Sequence, residues 1–220
     1  MFKKTLVRLA AAAALSGMAA AASAAVITLD FEGLRDQEQI LNFYNGGTGS
    51  LGSSGVNYGV QFGSNSLALI DADAGGSGNF ANEPTPDTIM FFLTGSAVLN
   101  YAPGFTTGFS FWYTTTTLGG TVTVWDDVDA GGNLLGTINL QALGSNCQGD
   151  PSGGFCNWAI GALAFGGVAK SIDFGGTVNQ VGFDNITFGS TDPNRVPAPA
   201  TLALVGLGLL GLGAARRRSA

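Results

Sequence analysis

Hydrophobic and polar positions alternate with a period of two along much of the chain between residues 26 and 190. Phe109, Phe111 and Tyr113, for example, are separated by Ser110 and Trp112. This period, carried by aromatic and β-branched residues, is typical of β-strands. It predicts strands at residues 27–32, 58–62, 67–70, 88–93, 97–101, 108–113, 121–125, 134–140, 168–174 and 178–188.

No interior stretch of a dozen residues shows a convincing helical period. Residues 159–168 come nearest, and their three glycines argue against a helix. Many short strands joined by Gly-, Asn- and Asp-rich turns predict an all-β fold, an antiparallel β-sandwich of jelly-roll-like type. The pattern leaves the order of the strands open.

The last predicted strand changes the face that its apolar residues occupy. Val181 and Phe183 share one face, whereas Ile186 and Phe188 have the opposite parity. If one core buries all four residues, a β-bulge lies at Asp184-Asn185. Otherwise the strand is simply covered on both sides.

The first 24 residues have the order of a secretory signal peptide. Lys3, Lys4 and Arg8 precede an apolar, alanine-rich stretch, and Ala22-Ser23-Ala24 is a small-residue cleavage site. We therefore predict a signal peptide at 1–24 and export of the remainder. An N-terminal anchor helix is the alternative, which the shortness of the apolar stretch disfavours.

The other end of the chain has the features of a membrane stop signal. An unbroken apolar run at 200–215 is followed by Arg216, Arg217 and Arg218. Because arginines cross a membrane at high cost, these three act as a stop-transfer signal and stay in the cytoplasm. We predict a transmembrane helix at 200–215 and a basic cytoplasmic tail at 216–220.

The part of the chain beyond the membrane is one exported domain. We place the β-sandwich ectodomain at 25–192 and a proline-spaced linker at 193–199. As a helix, the apolar run spans about 24 Å, less than the roughly 30 Å hydrocarbon core of a bilayer. A short, glycine-rich span favours a transient anchor, and an ordinary single-span anchor is the alternative.

The exported part of the chain is strongly acidic. Its three basic residues, Arg35, Lys170 and Arg195, are outnumbered by fifteen acidic ones, which gives a net charge of −12. Such a charge repels phosphate backbones, so we expect no nucleic acid partner.

Cys147 and Cys156 are the only cysteines and lie close together in the sequence. In an exported protein such a pair is expected to form a disulfide. A metal site is the alternative, but the chain has no histidine to complete a zinc shell. We therefore predict a structural disulfide.

The C-terminal segment combines three features in a fixed order. Val196, Pro197, Ala198 and Pro199 come first, a Gly- and Leu-rich run follows, and the arginine cluster ends the segment. This segment resembles the PEP-CTERM sorting signal of bacterial exported proteins, also known as an ice-binding protein C-terminal domain. Ala198 stands where that family usually has glutamate.

The resemblance carries expectations about location and partners. It implies a Gram-negative envelope, processing at the inner membrane by the transpeptidase exosortase, sorting to the cell surface and frequent association with exopolysaccharide. Residues 28–33 and 181–188 also resemble the first and last strands of the β-sandwich ectodomains in this group.

Three tryptophans, Trp112, Trp125 and Trp158, are candidate carbohydrate-binding residues. An indole offers a flat apolar face together with one polar N–H group, a combination suited to stacking on a sugar. Burial in the core is the alternative, since aromatic residues on strands usually pack there. We expect a non-catalytic surface or matrix protein that associates with polysaccharide.

Asp30 and Glu32 lie on the same face of the first predicted strand. If the first and last strands pair, Asp184 lies near them, and three carboxylates with backbone carbonyls form an oxygen shell suited to calcium. These residues are a candidate calcium site, which would make the domain a calcium-dependent carbohydrate-binding or adhesion module. Solvated charges at a sheet edge are the alternative.

Enzymatic activity is the third class of function. Without histidine, catalytic triads and histidine-held metals are excluded. A pair of carboxylates, as in glycoside hydrolases, stays chemically open, and Glu32, Glu38 and Glu83 are the available glutamates. Because nothing places two of them across a cleft, we expect no enzymatic activity.

Overall fold

β-Strands make up the regular secondary structure of residues 26–147 and 154–194, which a computed structural model describes. In this part of the chain there is no helix long and apolar enough to cross a membrane. The strands are β1 Ile27–Leu29, β2 Gln61–Phe62, β3 Leu67–Ile70, β4 Thr88–Phe91, β5 Ala97–Phe105, β6 Phe109–Thr115, β7 Gly120–Trp125, β8 Leu134–Leu140, β9 Trp158–Leu163, β10 Ala169–Phe174 and β11 Val181–Phe188. The predicted signal peptide, transmembrane helix and basic tail lie outside the described residues.

The strands pair antiparallel in two sheets. Sheet A has the order β3-β4-β11-β6-β9, and sheet B has the order β2-β5-β10-β7-β8. β1 pairs with the second half of β11, on the side where β4 pairs with the first half. The predicted all-β antiparallel sandwich is confirmed.

Aromatic rings from both sheets fill the space between them. Phe174 of sheet B lies 4.9 Å from Phe183 of sheet A, measured between ring centroids. Phe109 and Phe111 of sheet A pack against the same ring of Phe174. Full burial of one phenylalanine side chain contributes about 1.5–3 kcal/mol, so these contacts hold the two sheets together.

A β-bulge interrupts β11 at the predicted place. The register of β11 against β6 shifts between Asp184 and Thr187, and Asn185 has φ +48°. One core buries the apolar residues on both sides of the bulge, Val181, Phe183, Ile186 and Phe188. The opposite face of β11 is buried as well, because Asp184 and Thr187 are fully inaccessible to solvent.

The sequence does not predict β9, the edge strand of sheet A. β9 pairs with β6, so that Gly161 lies opposite Phe111. A Cβ atom on Gly161 would come within 2.4 Å of the Phe111 ring. Gly161, one of the glycines that argue against a helix in the sequence, is therefore required for this strand to lie over the aromatic core.

The segment between β1 and β2 has no strand, yet it closes one part of the core. Its buried residues include Leu34, Ile40, Phe43 and Tyr44. The buried carboxylate of Glu38 organises the segment by accepting hydrogen bonds from three backbone amides, those of Arg35, Leu51 and Ser53, at 2.8–3.1 Å.

Cys147 and Cys156 form the predicted disulfide. Residues 154–157, which we call the disulfide clip, are held against the segment that follows β3. The amides of Gly154 and Phe155 donate to Asn79 O, and Ala81 N donates to Phe155 O. The disulfide thus fastens a cover onto the outer face of sheet A.

The chain folds back over the outer face of sheet A after β11. In this C-terminal hook (residues 189–194), Ser190 and Pro193 are buried. Ser110 Oγ donates to Ser190 O at 3.0 Å. Thr187 Oγ1 shares its one proton between Asn185 O at 3.0 Å and Pro193 O at 3.4 Å. Pro193 and Asn194, which the sequence places in the linker, therefore contact the sandwich.

Candidate carbohydrate-binding and calcium-binding sites

Two of the three candidate tryptophans share the outer face of sheet A. In the pairing of β6 with β9, Trp112 lies opposite Ile160 and Trp158 lies opposite Thr114. Both indoles are half-buried, and Ile160 is 46% exposed. We call Trp112, Trp158 and Ile160 the aromatic edge, since they lie on the last two strands at one side of the sheet.

Hydrogen bonds fix the orientation of both indoles at the aromatic edge. Trp112 Nε1 donates to Asn194 Oδ1 at 3.2 Å, and Trp158 Nε1 donates to Ala81 O at 2.9 Å. Each indole N–H group therefore already has a partner within the protein. An indole held in one orientation has less conformational freedom to lose when a ligand packs against it.

Trp125 lies on the other sheet. It is half-buried at the end of β7, in sheet B, and its Nε1 donates to Thr123 Oγ1 at 2.9 Å. Its neighbour across the strand pair is Leu134, which is 50% exposed. The three tryptophans therefore do not form one site.

Two cavities lie next to sheet A, and neither combines room for a sugar ring with an aromatic lining. The cavity between sheet A and the cover that contains Phe80 and Phe155 is about 20 Å³, room for about one water molecule. An open depression of about 500 Å³ lies at the C-terminal hook, lined by Thr107 and residues 189–192. It contains no aromatic ring, so a stacked sugar fits better on the aromatic edge.

Asp30 and Glu32 follow the end of β1 at Leu29, and Phe31 between them has φ +62°, so they do not share a strand face as predicted. Protein donors engage both. Asp30 Oδ1 accepts from Tyr44 Oη at 3.4 Å. Glu32 Oε1 accepts from the amides of Asp87 and Thr88 at 3.1 and 3.0 Å. Glu32 thus fastens the start of β4 to the end of β1.

Asp184 is fully buried on the outer side of β11, under the segment that precedes β4. Its Oδ2 accepts from Thr85 N at 3.0 Å and from Thr85 Oγ1 at 2.7 Å, and its Oδ1 accepts from Asn185 N. Burial raises the pKa of Asp184 to about 7, although these donors lower it. Asp184 is therefore not a solvated edge charge.

Tyr44 connects this region to the core. Its hydroxyl accepts from Phe31 N at 2.7 Å and donates to Asp30. Burial, together with the charges of Asp30 and Asp184, raises the pKa of the Tyr44 hydroxyl well above its usual value. The hydroxyl therefore stays protonated and acts as a hydrogen-bond donor.

The carboxylates of the predicted calcium site are engaged separately. Within residues 26–147 and 154–194, no group of three or more Asp, Glu, Cys or His side chains is placed to hold a metal ion. Calcium binding by Asp30, Glu32 and Asp184 stays a prediction. It would require calcium to replace donors such as Thr85 and Thr88.

The other two glutamates lie in different surroundings. Burial raises the pKa of Glu38, but hydrogen bonds from Ser53, Arg35 and Leu51 outweigh this and leave the pKa below its ordinary value. Burial, followed by the charges of Asp71, Asp73 and Asp87, raises the pKa of Glu83. Glu38 is committed to the segment between β1 and β2, so it is not available as a catalytic partner.

The described structure ends at Asn194, beside the aromatic edge. The residues that follow carry the motif on which the sequence analysis relies. Residues 195–218 match the family model described as the PEP-CTERM protein-sorting motif. The PEP-CTERM motif is characteristic of exported proteins that exosortase sorts, and it lies outside the described residues. No curated protein sequence matches the chain significantly.

Several solved β-sandwich structures show a distant similarity to the chain. A family 6 carbohydrate-binding module is 16% identical with a TM-score of 0.35, and covers 57% of this chain and 82% of its own. A carbohydrate-binding module of lichenase 5A from Cellvibrio mixtus is 15% identical with a TM-score of 0.36, at 59% and 89% coverage. The K1 cleaved adhesin domain of Lys-gingipain from Porphyromonas gingivalis is 13% identical with a TM-score of 0.33, at 59% and 96% coverage. Similarities of this size identify no ligand.

Proposed function

We propose that this chain is an exported, non-catalytic protein of the cell surface or extracellular matrix of a Gram-negative bacterium. An exosortase-type membrane transpeptidase processes its PEP-CTERM tail at the inner membrane, and the sandwich associates with extracellular polysaccharide. The observation that carries the sorting part is the match at residues 195–218. Within that match, the residues Val196 to Pro199, the apolar run and the arginines follow one another in the required order.

Intact-mass measurement tests the sorting part. The full-length chain is expressed in a host that has an exosortase, and the protein is recovered from cytosol, envelope and culture medium. We expect the envelope and medium forms to lack residues 1–24 and the C-terminal tail. Replacement of Arg216, Arg217 and Arg218 by serine should reduce retention at the membrane. A full-length, unprocessed protein in the cytosol would overturn the proposal.

The aromatic edge is the feature that supports polysaccharide association. Trp112 and Trp158 lie half-buried on the outer face of sheet A with hydrogen-bonded N–H groups, beside the exposed side chain of Ile160. A flat aromatic surface at a sheet edge suits an extended, neutral polymer, whereas the net charge of −12 disfavours an anionic one.

Binding to the cell-surface polysaccharide of the host strain tests this assignment. We expect Trp158→Ala to weaken binding about tenfold, the effect of losing one stacked ring. Leu118→Ala, which removes a residue that is 47% exposed on the turn after β6, is the control and should have no effect. If Trp125→Ala weakens binding and Trp158→Ala does not, the site lies on sheet B and the assignment is wrong.

Calcium-dependent binding or adhesion is the second candidate function. The observation that favours it is the buried carboxylate of Asp184, which lies near Glu32 and has no cationic partner among the contacts described above. Calcium would supply the missing positive charge. A rise in melting temperature with millimolar calcium, lost in Asp184→Ala, is the expected result. An unchanged melting temperature would remove this candidate.

The assignment as non-catalytic has its own test. Glycoside hydrolysis needs two carboxyl groups on either side of one sugar bond, and Glu32 and Glu38 are each held by backbone amides. Turnover of the same polysaccharide by the purified ectodomain should therefore be undetectable. Release of reducing ends that is lost in Glu83→Gln would show that the protein is a hydrolase.

A further inference from the structure

Hydrogen bonds attach the C-terminal hook to the sandwich and also connect residues within it. Ser190 Oγ accepts from Asp192 N at 3.0 Å, and Asp192 Oδ1 accepts from Asn194 N at 3.0 Å. Ser110 and Thr187, which anchor the hook, are polar residues on a sheet face and are fully buried beneath it. Ser190, Asp192, Pro193 and Asn194 therefore each take part in a hydrogen bond.

The sorting motif starts where the hook ends. Asn194 Oδ1 accepts from Trp112 Nε1 at 3.2 Å, and the PEP-CTERM match begins at the next residue. Five residues separate Asn194 from the apolar run that starts at Ala200. Even fully extended, the chain from Asn194 to Ala200 spans only about 20 Å, so the sandwich lies close to the membrane while the tail is anchored.

A membrane enzyme that processes the motif has to accommodate the chain on both sides of the bond it attacks. With residue 194 fastened to sheet A, the chain that leads into the motif starts at the surface of the sandwich. Release of the hook adds up to six residues of free chain, about 20 Å of extra reach. Opening of the hook therefore lets the motif move farther from the sandwich.

We propose that the C-terminal hook is a latch that limits the access of the exosortase-type transpeptidase to the sorting motif. The hydrogen bond from Trp112 to Asn194 is its outermost fastening. This inference rests on the proposed function, because it concerns the processing step that the function requires. It assigns to Trp112 a role in tail presentation that is separate from any contact with polysaccharide.

The outer end of the latch is held more weakly than its inner end. Asn194 is exposed, and two hydrogen bonds hold it, one from Trp112 and one to Asp192. The inner end is firmer, because Pro193 and Ser190 are buried. Opening therefore starts at the outer end, and full release of the hook also uncovers Ser110 and Thr187.

A pulse-chase experiment on the full-length chain in a host with an exosortase tests the latch. Asn194→Ala removes the acceptor, and Trp112→Phe removes the donor while it keeps an aromatic ring. Each should shorten the half-time of tail processing about fivefold, which corresponds to the loss of one hydrogen bond. Asn139→Ala, the same change at an exposed position on β8, is the matched control and should leave the half-time unchanged.

A linker insertion separates a latch from a general loss of stability. Six Gly and Ser residues inserted between Asn194 and Arg195 supply the reach that opening of the hook supplies. In that chain we expect fast processing and no further effect of Asn194→Ala. Urea unfolding of the processed ectodomain should give the same midpoint for Asn194→Ala and for the native sequence.

The outcomes are distinguishable. Native half-times in both Asn194→Ala and Trp112→Phe would overturn the latch and leave the proposed function standing. Faster processing of Asn194→Ala that persists in the linker chain would also overturn it, since the effect would then not act through reach. Complete failure of the native chain to be processed would overturn the proposed function, and the latch with it.

Discussion

Asp184 and Glu38 are two solvent-inaccessible carboxyl groups whose pKa values shift in opposite directions. Three backbone amides surround Glu38, and its pKa is below the ordinary value. At Asp184 the loss of solvation dominates, and the nearby charge of Glu32 adds to it, so its pKa is about 7. Glu38 is therefore a structural anion, whereas Asp184 takes up a proton near neutral pH.

The raised pKa of Asp184 makes stability depend on pH. A carboxyl group whose pKa rises from 3.8 when unfolded to about 7 when folded stabilises the fold fully below pH 4. That contribution is lost as the pH rises towards 7, by an amount of about 4 kcal/mol. In Asp184→Asn this loss is absent, so the stability of the variant relative to the native protein should increase between pH 4 and pH 8.

Urea unfolding at a series of pH values measures this difference. Comparison of variant with native protein cancels the other acidic groups, which are common to both. Asp129→Asn, at an exposed position between β7 and β8, is the control and should follow the native slope. Parallel slopes for Asp184→Asn and the native protein would show that Asp184 stays ionised in the fold.

At the scale of elements, the bulge in β11 is what lets one strand serve one core along its whole length. Asn185 takes the left-handed conformation, φ +48°, and its amide donates to Asp184. Asparagine tolerates this conformation better than other residues with a side chain, whereas β-branched residues do not.

Substitution of Asn185 distinguishes a bulge from a regular strand. Asn185→Val should destabilise the fold by about 1–3 kcal/mol, the strain of a β-branched residue at positive φ. Asn185→Gly should stay within about 0.5 kcal/mol of the native protein, since glycine adopts this conformation freely. Thermal and urea unfolding measure both changes. If valine stabilised the protein, as it does in regular strands, the bulge would be absent.

The strands that could be predicted from sequence are those in which apolar and polar residues alternate. β6 and β7 alternate clearly, and the parity change in β11 predicts the bulge. β9 could not be predicted, because it is rich in small residues, and the need for glycine at position 161 is explained only by the Phe111 ring beneath it. The C-terminal hook could not be predicted either. Pro193 and Asn194 have the composition of a linker, and only their contacts with Thr187 and Trp112 make them part of the sandwich.

The candidate site shows the same limit. That β1 and β11 pair confirms the premise for placing Asp184 near the end of β1. The donors that occupy the carboxylates come from Thr85 and Thr88, which are distant in sequence. The aromatic edge also depends on the pairing of β6 with the unpredicted β9, so only the individual tryptophans, and not their grouping, could be named in advance.

At the scale of the whole molecule, the disulfide clip connects the segment after β3 with β9, the edge strand of sheet A. It holds Phe155 beside Phe80 by a short parallel bridge, and Trp158 follows directly along the chain. Disulfides form in oxidising compartments, so the bond agrees with an exported protein.

Removal of the disulfide should weaken the fold without abolishing it. We expect the double variant Cys147→Ser, Cys156→Ser to be about 2–3 kcal/mol less stable, the value for closure of a ring of this size. The native protein in reducing agent should show the same loss, and the double variant should be indifferent to the agent. Equal stability of the oxidised protein and the double variant, measured by urea unfolding, would contradict this prediction.

Because β11 is the last strand, folding of sheet A is completed directly before the sorting motif in the chain. β11 is the common neighbour of β1, β4 and β6, so sheet A stays in separate pieces until residues 181–188 are present. The sorting motif comes immediately afterwards. A polypeptide truncated before β11 thus lacks both the central strand of sheet A and the sorting motif. Such a chain stays unfolded, and envelope proteases degrade it.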